Sequence, residues 1–414
     1  MDNSYRKHVV LITSGQPATN PRLVKEADSL VANNYRVTVL YCYWNNWATE
    51  ADRTFVGTRA WKAIRVAGTP ADHPVAYRTT IFLQKIAINI TKVWFNNPLR
   101  VYALSRATFP LVQAAKQIKA DFYLAHNLAA LPAAVLAAKK YQVKAGFDAE
   151  DYHRAESRSG YPCLAFRLKV MLEDQYIPQL NYFTTSSAAI AELYQAHYQH
   201  SPLVIRNLLP VQATSFREVP QSTSRTLKLF WFSQTIGPDR GIELIIESLK
   251  HLRTSQYELH LLGEPKPGYI SKIYELAASH GIPAAKLHFH MPLPPQLLYE
   301  YSCGFDIGLA SEMAHCLNND VALSNKLFTY IQAGLAVVLS DTKAQKAFYQ
   351  QYPQIGRCYK KKCASHLGQS IQYYLDHDRE LQRTKQANYT LGKETLNWER
   401  ESVHFINKVR QTTI

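Results

Sequence analysis

Ser324-Asn325-Lys326-Leu327-Phe328-Thr329 joins two helix-capping residue types to a lysine on the first turn of a helix that Gly334 would end, with the apolar run Ala336–Leu339 straight after. A helix N-terminus presents unbonded N–H groups and partial positive charge, and Lys326 adds a full charge. The chemistry on offer is anion binding, in its simplest form a pyrophosphate seat. The plain alternative is an ordinary capped helix with a solvated lysine. A second candidate is Trp231-Phe232-Ser233-Gln234-Thr235-Ile236-Gly237-Pro238-Asp239-Arg240-Gly241, read as a strand end, a glycine-bearing loop and an arginine entering a helix. The Arg240 guanidinium can give phosphate oxygens two parallel hydrogen bonds, which a lysine cannot. The alternative there is a surface arginine beside a turn. No GxGxxG or Walker A spacing occurs, so neither a dehydrogenase nor a P-loop site is supported.

In the first half of the chain His126 ends an apolar run, and Asp148, Glu150, Asp151 and His153 cluster after another. A histidine at a strand end is a general acid–base candidate or a polar loop residue, and the acidic cluster binds an acceptor or forms a solvated loop. Cys358 and Cys363 bracket Tyr359-Lys360-Lys361-Lys362, which reads as a basic surface loop because no further Cys or His stands at ligand spacing. No metal site is expected. The 6 cysteines form no CxxC pair and no secretory pattern opens the sequence, so reduced thiols in a cytoplasmic protein are expected. Charges interrupt every apolar run well before the ~20 residues that span a bilayer.

These residues need a scaffold. The 414 residues are enough for two domains, and 47% hydrophobic with 19% charged residues is a globular balance that excludes disordered and coiled-coil chains. Short apolar runs alternate with amphipathic stretches, the signature of parallel sheets covered by helices on both faces. The pattern predicts strands at His8–Thr13, Arg36–Cys42, Asp121–Ala125, Val143–Phe147, Leu203–Ile205, Leu227–Phe232, Tyr257–Leu262 and Ala336–Leu339. Helices are predicted at Pro21–Asn34, Leu128–Tyr141, Ser187–His197, Gly241–Leu252 and from Leu396 to Val409. Leu209–Thr226, rich in Pro, Ser, Thr and Gln, reads as the linker. The fold class is α/β, with two tandem Rossmann-like doubly wound domains, residues 1–208 and 209–395, facing a cleft. Ligands of such sheets gather beyond the carboxyl ends of the strands.

The net charge is +15. Ala51 to Ala120 carries eleven Lys or Arg against two Asp, a net +9, interleaved with Ile81-Phe82-Leu83, Ile86, Ile88, Ile90 and Val93-Trp94-Phe95. That arrangement fits an interfacial helix on anionic lipid, or an amphipathic domain helix with a solvated basic rim. Nucleic acid is disfavoured as partner, since no RNP, KH or helix-turn-helix pattern appears.

In order and spacing the motifs resemble the family 4 type of retaining glycosyltransferases, which have the GT-B fold. The resemblance runs nearly end to end. It rests on Gly15 with Asn20-Pro21-Arg22, Ala125-His126-Asn127, Phe147 to Asp151, Thr185-Ser186-Ser187, Ile205-Arg206-Asn207, Arg240-Gly241, Leu262-Gly263 and Asn325-Lys326-Leu327-Phe328 with Tyr330 and Ala333-Gly334. It implies a cytoplasmic hexosyltransferase, peripheral at the inner membrane face, that builds a polysaccharide or glycolipid. A nucleotide-diphosphate sugar would be its donor substrate, a glycan or lipid-linked molecule its acceptor, and no cofactor or metal would be needed. Arg240 and Lys326 match the phosphate contacts. Ser324, Asn325 and Leu327 match the loop and helix start beneath diphosphate and ribose, with Ser233 and Gln234 also on the donor side. Gly263 and His290-Met291-Pro292 match backbone near the base. Gly15 matches a glycine loop near donor and acceptor, His126 a histidine near the transferred sugar, and Asp148 and Glu150 lie on the acceptor side. The resemblance also implies that residues 396–414 cross back to the first domain.

The chain departs from the family at the paired glutamates, where Val321 and Thr329 stand, although Glu312 and Asn318-Asn319 lie upstream. It departs again at Gln234, where many members have arginine. Two other readings stay open at this level: a nucleotide-sugar epimerase of the same fold, and a non-catalytic nucleotide- or glycan-binding protein.

Overall fold

Residues 6–156, 163–212 and 226–414 are described by the computed structural model, and the chain divides into two compact units. One takes the chain up to Arg206 together with Ser402–Ile414; the other takes Asn207–Glu401. Of the expected linker Leu209–Thr226, residues 213–225 lie outside the described residues.

Apolar runs too short for helices form strands buried on both faces. In the first unit these are β1 (His8–Thr13), β2 (Arg36–Cys42), β3 (Lys62–Val66), β4 (Phe122–His126), β5 (Lys144–Ala149), β6 (Tyr182–Thr185) and β7 (Leu203–Val204). They pair in parallel in the order β3-β2-β1-β4-β5-β6-β7. The order reverses between β1 and β4, and the loops leaving these two strands part there to open a binding position.

The second unit holds β8 (Leu227–Ile236), β9 (Tyr257–Pro265), β10 (Leu287–His290), β11 (Ile307–Ala310), β12 (Ala336–Ser340) and β13 (Gly356–Tyr359). Their order is β10-β9-β8-β11-β12-β13, with the reversal between β8 and β11. Alternate residues of one strand serve different cores. Leu227, Leu229 and Trp231 with Ala336 and Val338 pack under the helices Ile242–Leu249 and Tyr269–Ser279. Phe230, Val337 and Leu339 pack on the other face against Leu327, Phe328 and Ile331 of the helix Asn325–Gln332.

The structure moves several expected boundaries, two of them beside the Arg240 loop. β8 continues past Phe232 through a bulge between Phe232 and Thr235, because β9 also runs on to Pro265 and pairs with it. Ser233 and Gln234 therefore lie in a strand and not in a loop. The helix expected from Gly241 begins at Ile242, since Gly241 has φ 80°, outside helical space. The last helix, Trp398–Thr413, opens where Asn397 Oδ1 accepts the Arg400 N–H at 3.0 Å. Within the first unit its Phe405 is fully buried and meets Tyr182 edge-on. Among the described residues no helix is long and apolar enough to cross a membrane.

Candidate functional site

In the first unit the strand register sets Thr13, His126, Asp148 and Thr184 side by side at the carboxyl ends of β1, β4, β5 and β6. Arg22, on the helix Pro21–Ala32, reaches this row from beneath. Its Nε and Nη2 donate to the two Asp148 oxygens at 2.5 and 2.7 Å, and its Nη1 donates to the Ile205 carbonyl at 2.5 Å. Thr184 Oγ1 donates to Asp148 Oδ1 at 2.7 Å. Glu26, one helical turn on, lies 3.4 Å from Arg22 Nε and 3.2 Å from His126 Nε2, while His126 Nδ1 is 3.5 Å from Asp148 Oδ2.

Arg22, Glu26, His126 and Asp148 have no exposed side-chain surface. Buried charge survives only when paired, and here two carboxylates face a guanidinium and an imidazole. Burial alone would lower the His126 pKa, but Glu26 and then Asp148 outweigh it and raise it above its ordinary value. Burial pushes the Glu150 carboxyl up to about 7, against the pull of Arg22 and with the push of Asp148. The side chains of His126 and Asp148 thus face inward, and the loop backbone beside them faces out. Asn127, at φ 66°, fixes that backbone: its Oδ1 accepts from Ser14 Oγ at 2.8 Å and its Nδ2 donates to Thr13 Oγ1 at 2.9 Å, pinning the Ser14-Gly15 turn across the reversal point.

In the second unit Lys326 Nζ lies 2.8 Å from Glu312 Oε1 and 5.8 Å from the Trp231 ring centroid. Asn319 Nδ2 donates to Glu312 Oε2 at 3.0 Å. Burial raises the Glu312 pKa, but Lys326 and the bonds from Asn319 and Ser324 prevail and bring it down to about 2. The acid absent at Val321, which is buried in the core, is thus present near Lys326 from just beyond β11. The Ser324 side chain does not cap the helix, and the backbone N–H groups of Asn325 and Lys326 have no acceptor among the described residues. Leu327 is buried, and the Thr329 hydroxyl donates back to the Asn325 carbonyl at 3.2 Å.

Arg240 is exposed and has no ion-pair or hydrogen-bond partner among the described residues. A Cβ at its neighbour Gly241 would stand 2.3 Å from the Ser311 carbonyl oxygen, so the Arg240 loop lies directly on the end of β11, beside Glu312. The backbone of the Arg240 loop at Gly241 and, through Glu312, the Lys326 ammonium thus both lie beside the end of β11. Gly263 closes against β8: a Cβ there would lie 2.5 Å from the Ser233 carbonyl oxygen. Gln234 is exposed, and His290 ends β10 with Met291 65% exposed beyond it. Reading the sequence missed Glu26 and the pairing of Glu312; the only signal for Glu26 was its place one turn after Arg22 on the inward helix face.

No protein-family model and no curated protein sequence matches the chain. Solved structures do. Alr3699/HepE from Anabaena, crystallised with UDP, shares 12% identity at a TM-score of 0.69, over 98% of this chain and 100% of that one. The sucrose-phosphate synthase tll1590 of Thermosynechococcus elongatus shares 11% at 0.69, over 98% and 99%. WaaG, a glycosyltransferase involved in lipopolysaccharide biosynthesis, shares 14% at 0.62, over 96% and 98%. The fold is therefore the one the motifs implied: two Rossmann-like α/β domains in tandem, as in GT-B glycosyltransferases.

Proposed function

We propose that this chain moves a sugar from a nucleotide-diphosphate sugar to an acceptor hydroxyl. The observation that carries the reading is the placing, beside the end of β11, of Lys326 and of the loop that carries Arg240, with two helix N–H groups that have no acceptor among the described residues. A structural neighbour holds UDP and glucose, which fits a donor of this class. Departure of the diphosphate gathers negative charge on its oxygens while the sugar takes on oxocarbenium character. Preorganised donors aimed at growing charge are often the largest catalytic term, and Arg240, Lys326 and the helix start supply them. The reading includes retention at the anomeric carbon and no cofactor. His126 acts in it as a positioning residue whose backbone fronts the Gly15 turn, with Asp148 anchoring the strand ends from below and Glu150 on the acceptor side.

The acceptor we infer is lipid-linked, on an anionic membrane facing a reducing compartment. The helix Pro74–Val93 supports this: it buries only Thr80, Ala87 and Thr91, and exposes Phe82, Val93 and the following Trp94 among basic residues. None of the 6 cysteines forms a disulfide.

Thermal shift against nucleoside diphosphates and their sugars tests the donor site. Arg240→Ala and Lys326→Ala should each weaken the best ligand by about tenfold or more, some 1.4 kcal/mol per decade. Unchanged affinity in both variants overturns the phosphate assignment. NMR of the product anomer reads retention, and turnover of donor without any acceptor would favour an epimerase.

A further inference from the structure

Among the described residues two clusters of metal-ligating side chains lie outside the proposed donor site: Glu26, His126 and Asp148, already paired with Arg22, and a second in the other unit. Glu258 and His260 on β9 and His288 and His290 on β10 occupy alternate positions of paired strands, with His288 opposite His260, so all four project from one face at the sheet edge. His260 and His288 stack with ring centroids 4.5 Å apart. Their Nε2 atoms lie 3.4 and 3.9 Å from the same carboxylate oxygen, Glu258 Oε2. Both nitrogens are buried, and neither makes a hydrogen bond of acceptable geometry.

We propose that Glu258, His260 and His288 bind a divalent transition metal of the zinc class, pinning the edge strand β10 to β9. The three ligand atoms lie within 4.8 Å of one another. A tetrahedral zinc with bonds of about 2.0–2.1 Å places its ligands roughly 3.3 Å apart, so small side-chain rotations complete the site. Imidazole and carboxylate are the donor set such ions select. A neighbour fixes the tautomer: His260 Nδ1 lies 2.9 Å from His290 Nε2, and donation of the Nδ1 hydrogen to it leaves the His260 Nε2 lone pair for the ion. The Glu258 and His288 side chains are 32% and 36% exposed, which leaves a solvent side for water as fourth ligand. Phe305 closes the opposite side, its ring 5.0 Å from that of His260. His260 lies three residues before Gly263, about 10 Å along the strand, so the three ligands are distinct from the proposed donor contacts, His290 alone belonging to the stretch expected near the base, and metal binding does not depend on the proposed transfer.

The test is titration of the untagged, metal-free full chain with cobalt(II), alongside thermal melts with zinc(II). The expected result is one cobalt bound with visible d–d bands and no thiolate charge-transfer band, which excludes the cysteines as ligands. Zinc at a hundred times its Kd should raise Tm by roughly 5 °C. Glu258→Gln and His288→Ala should each weaken cobalt at least tenfold and cut the zinc shift to about half or less. A wild type with neither bands nor shift overturns the proposal, and so do bands that persist unchanged in both variants. If His288→Ala does not fold, Glu258→Gln decides alone.

Discussion

Lys326 meets any ligand already paired with Glu312, so the charge at this helix start is shared rather than free. The same pair sets an acid limit on the fold. The Glu312 pKa is about 2 in the folded chain against an ordinary 4.5, so its contribution is full above pH 4.5 and fades as pH falls toward 2. That contribution is at most roughly 3 kcal/mol. Glu312→Gln should flatten the fall of stability between pH 4.5 and 2 in urea melts, and an unchanged slope would remove Glu312 from the account. In the first unit Asp148→Ala removes the carboxylate that takes two Arg22 hydrogen bonds and leaves Glu26 to offset both Arg22 and His126, and denaturant unfolding should show a loss of about 3–5 kcal/mol. A loss below 1 kcal/mol would mean that water enters the cluster. Lys326 and Arg240 were legible in the sequence because each stands in a contiguous motif. The set of Arg22, Glu26, His126 and Asp148 was not, because its members come from three segments that only the strand order brings together, and burial turned His126 from an acid–base candidate into an ion-pair partner.

The Arg240 loop depends on a close approach of two backbones, and two glycines separate that effect from conformational strain. Gly241 has φ 80° and the Ser311 carbonyl 2.3 Å from where a Cβ would stand, whereas Gly268 has φ 73° with open space around it. Gly268→Ala should cost about 1 kcal/mol from its backbone alone. Gly241→Ala should cost more and also weaken nucleotide binding, because Ser311 must move and Glu312 follows. Equal losses, or full nucleotide affinity in Gly241→Ala, would detach the loop from the site. β1, β2, β4, β5, β7 and β12 were legible to within a residue or two because unbroken apolar runs admit little else, and the helix Asn325–Gln332 because its start and stop signals are local, whereas β3, β6, β10, β11 and β13, each four or five residues long, were given no bounds. The extension of β8 was hidden, since a bulge arises from pairing with β9 and leaves no mark in β8's own sequence.

Across the whole molecule the +15 charge is concentrated, with +9 between Ala51 and Ala120. There the helix Pro74–Val93 lies largely exposed, Val93 at 92% and Phe82 at 63%. Replacing Arg78, Lys85, Lys92 and Arg100 by glutamine should reduce sedimentation with phosphatidylserine vesicles about a hundredfold, near 1 kcal/mol for most of the charges removed. Raised salt should mimic the variant. A wild type that ignores such vesicles would end the membrane reading. The buried ion cluster also bears on descent. Arg22 gives three nitrogens to Asp148 and the Ile205 carbonyl, a geometry that lysine cannot reproduce. Changing Arg22 or Asp148 alone costs the other its two-pronged partner, so a lineage is expected to keep both or lose both together. The expectation is checked by whether structures as distant as 10–14% identity carry an arginine and an aspartate paired at these two places of the fold.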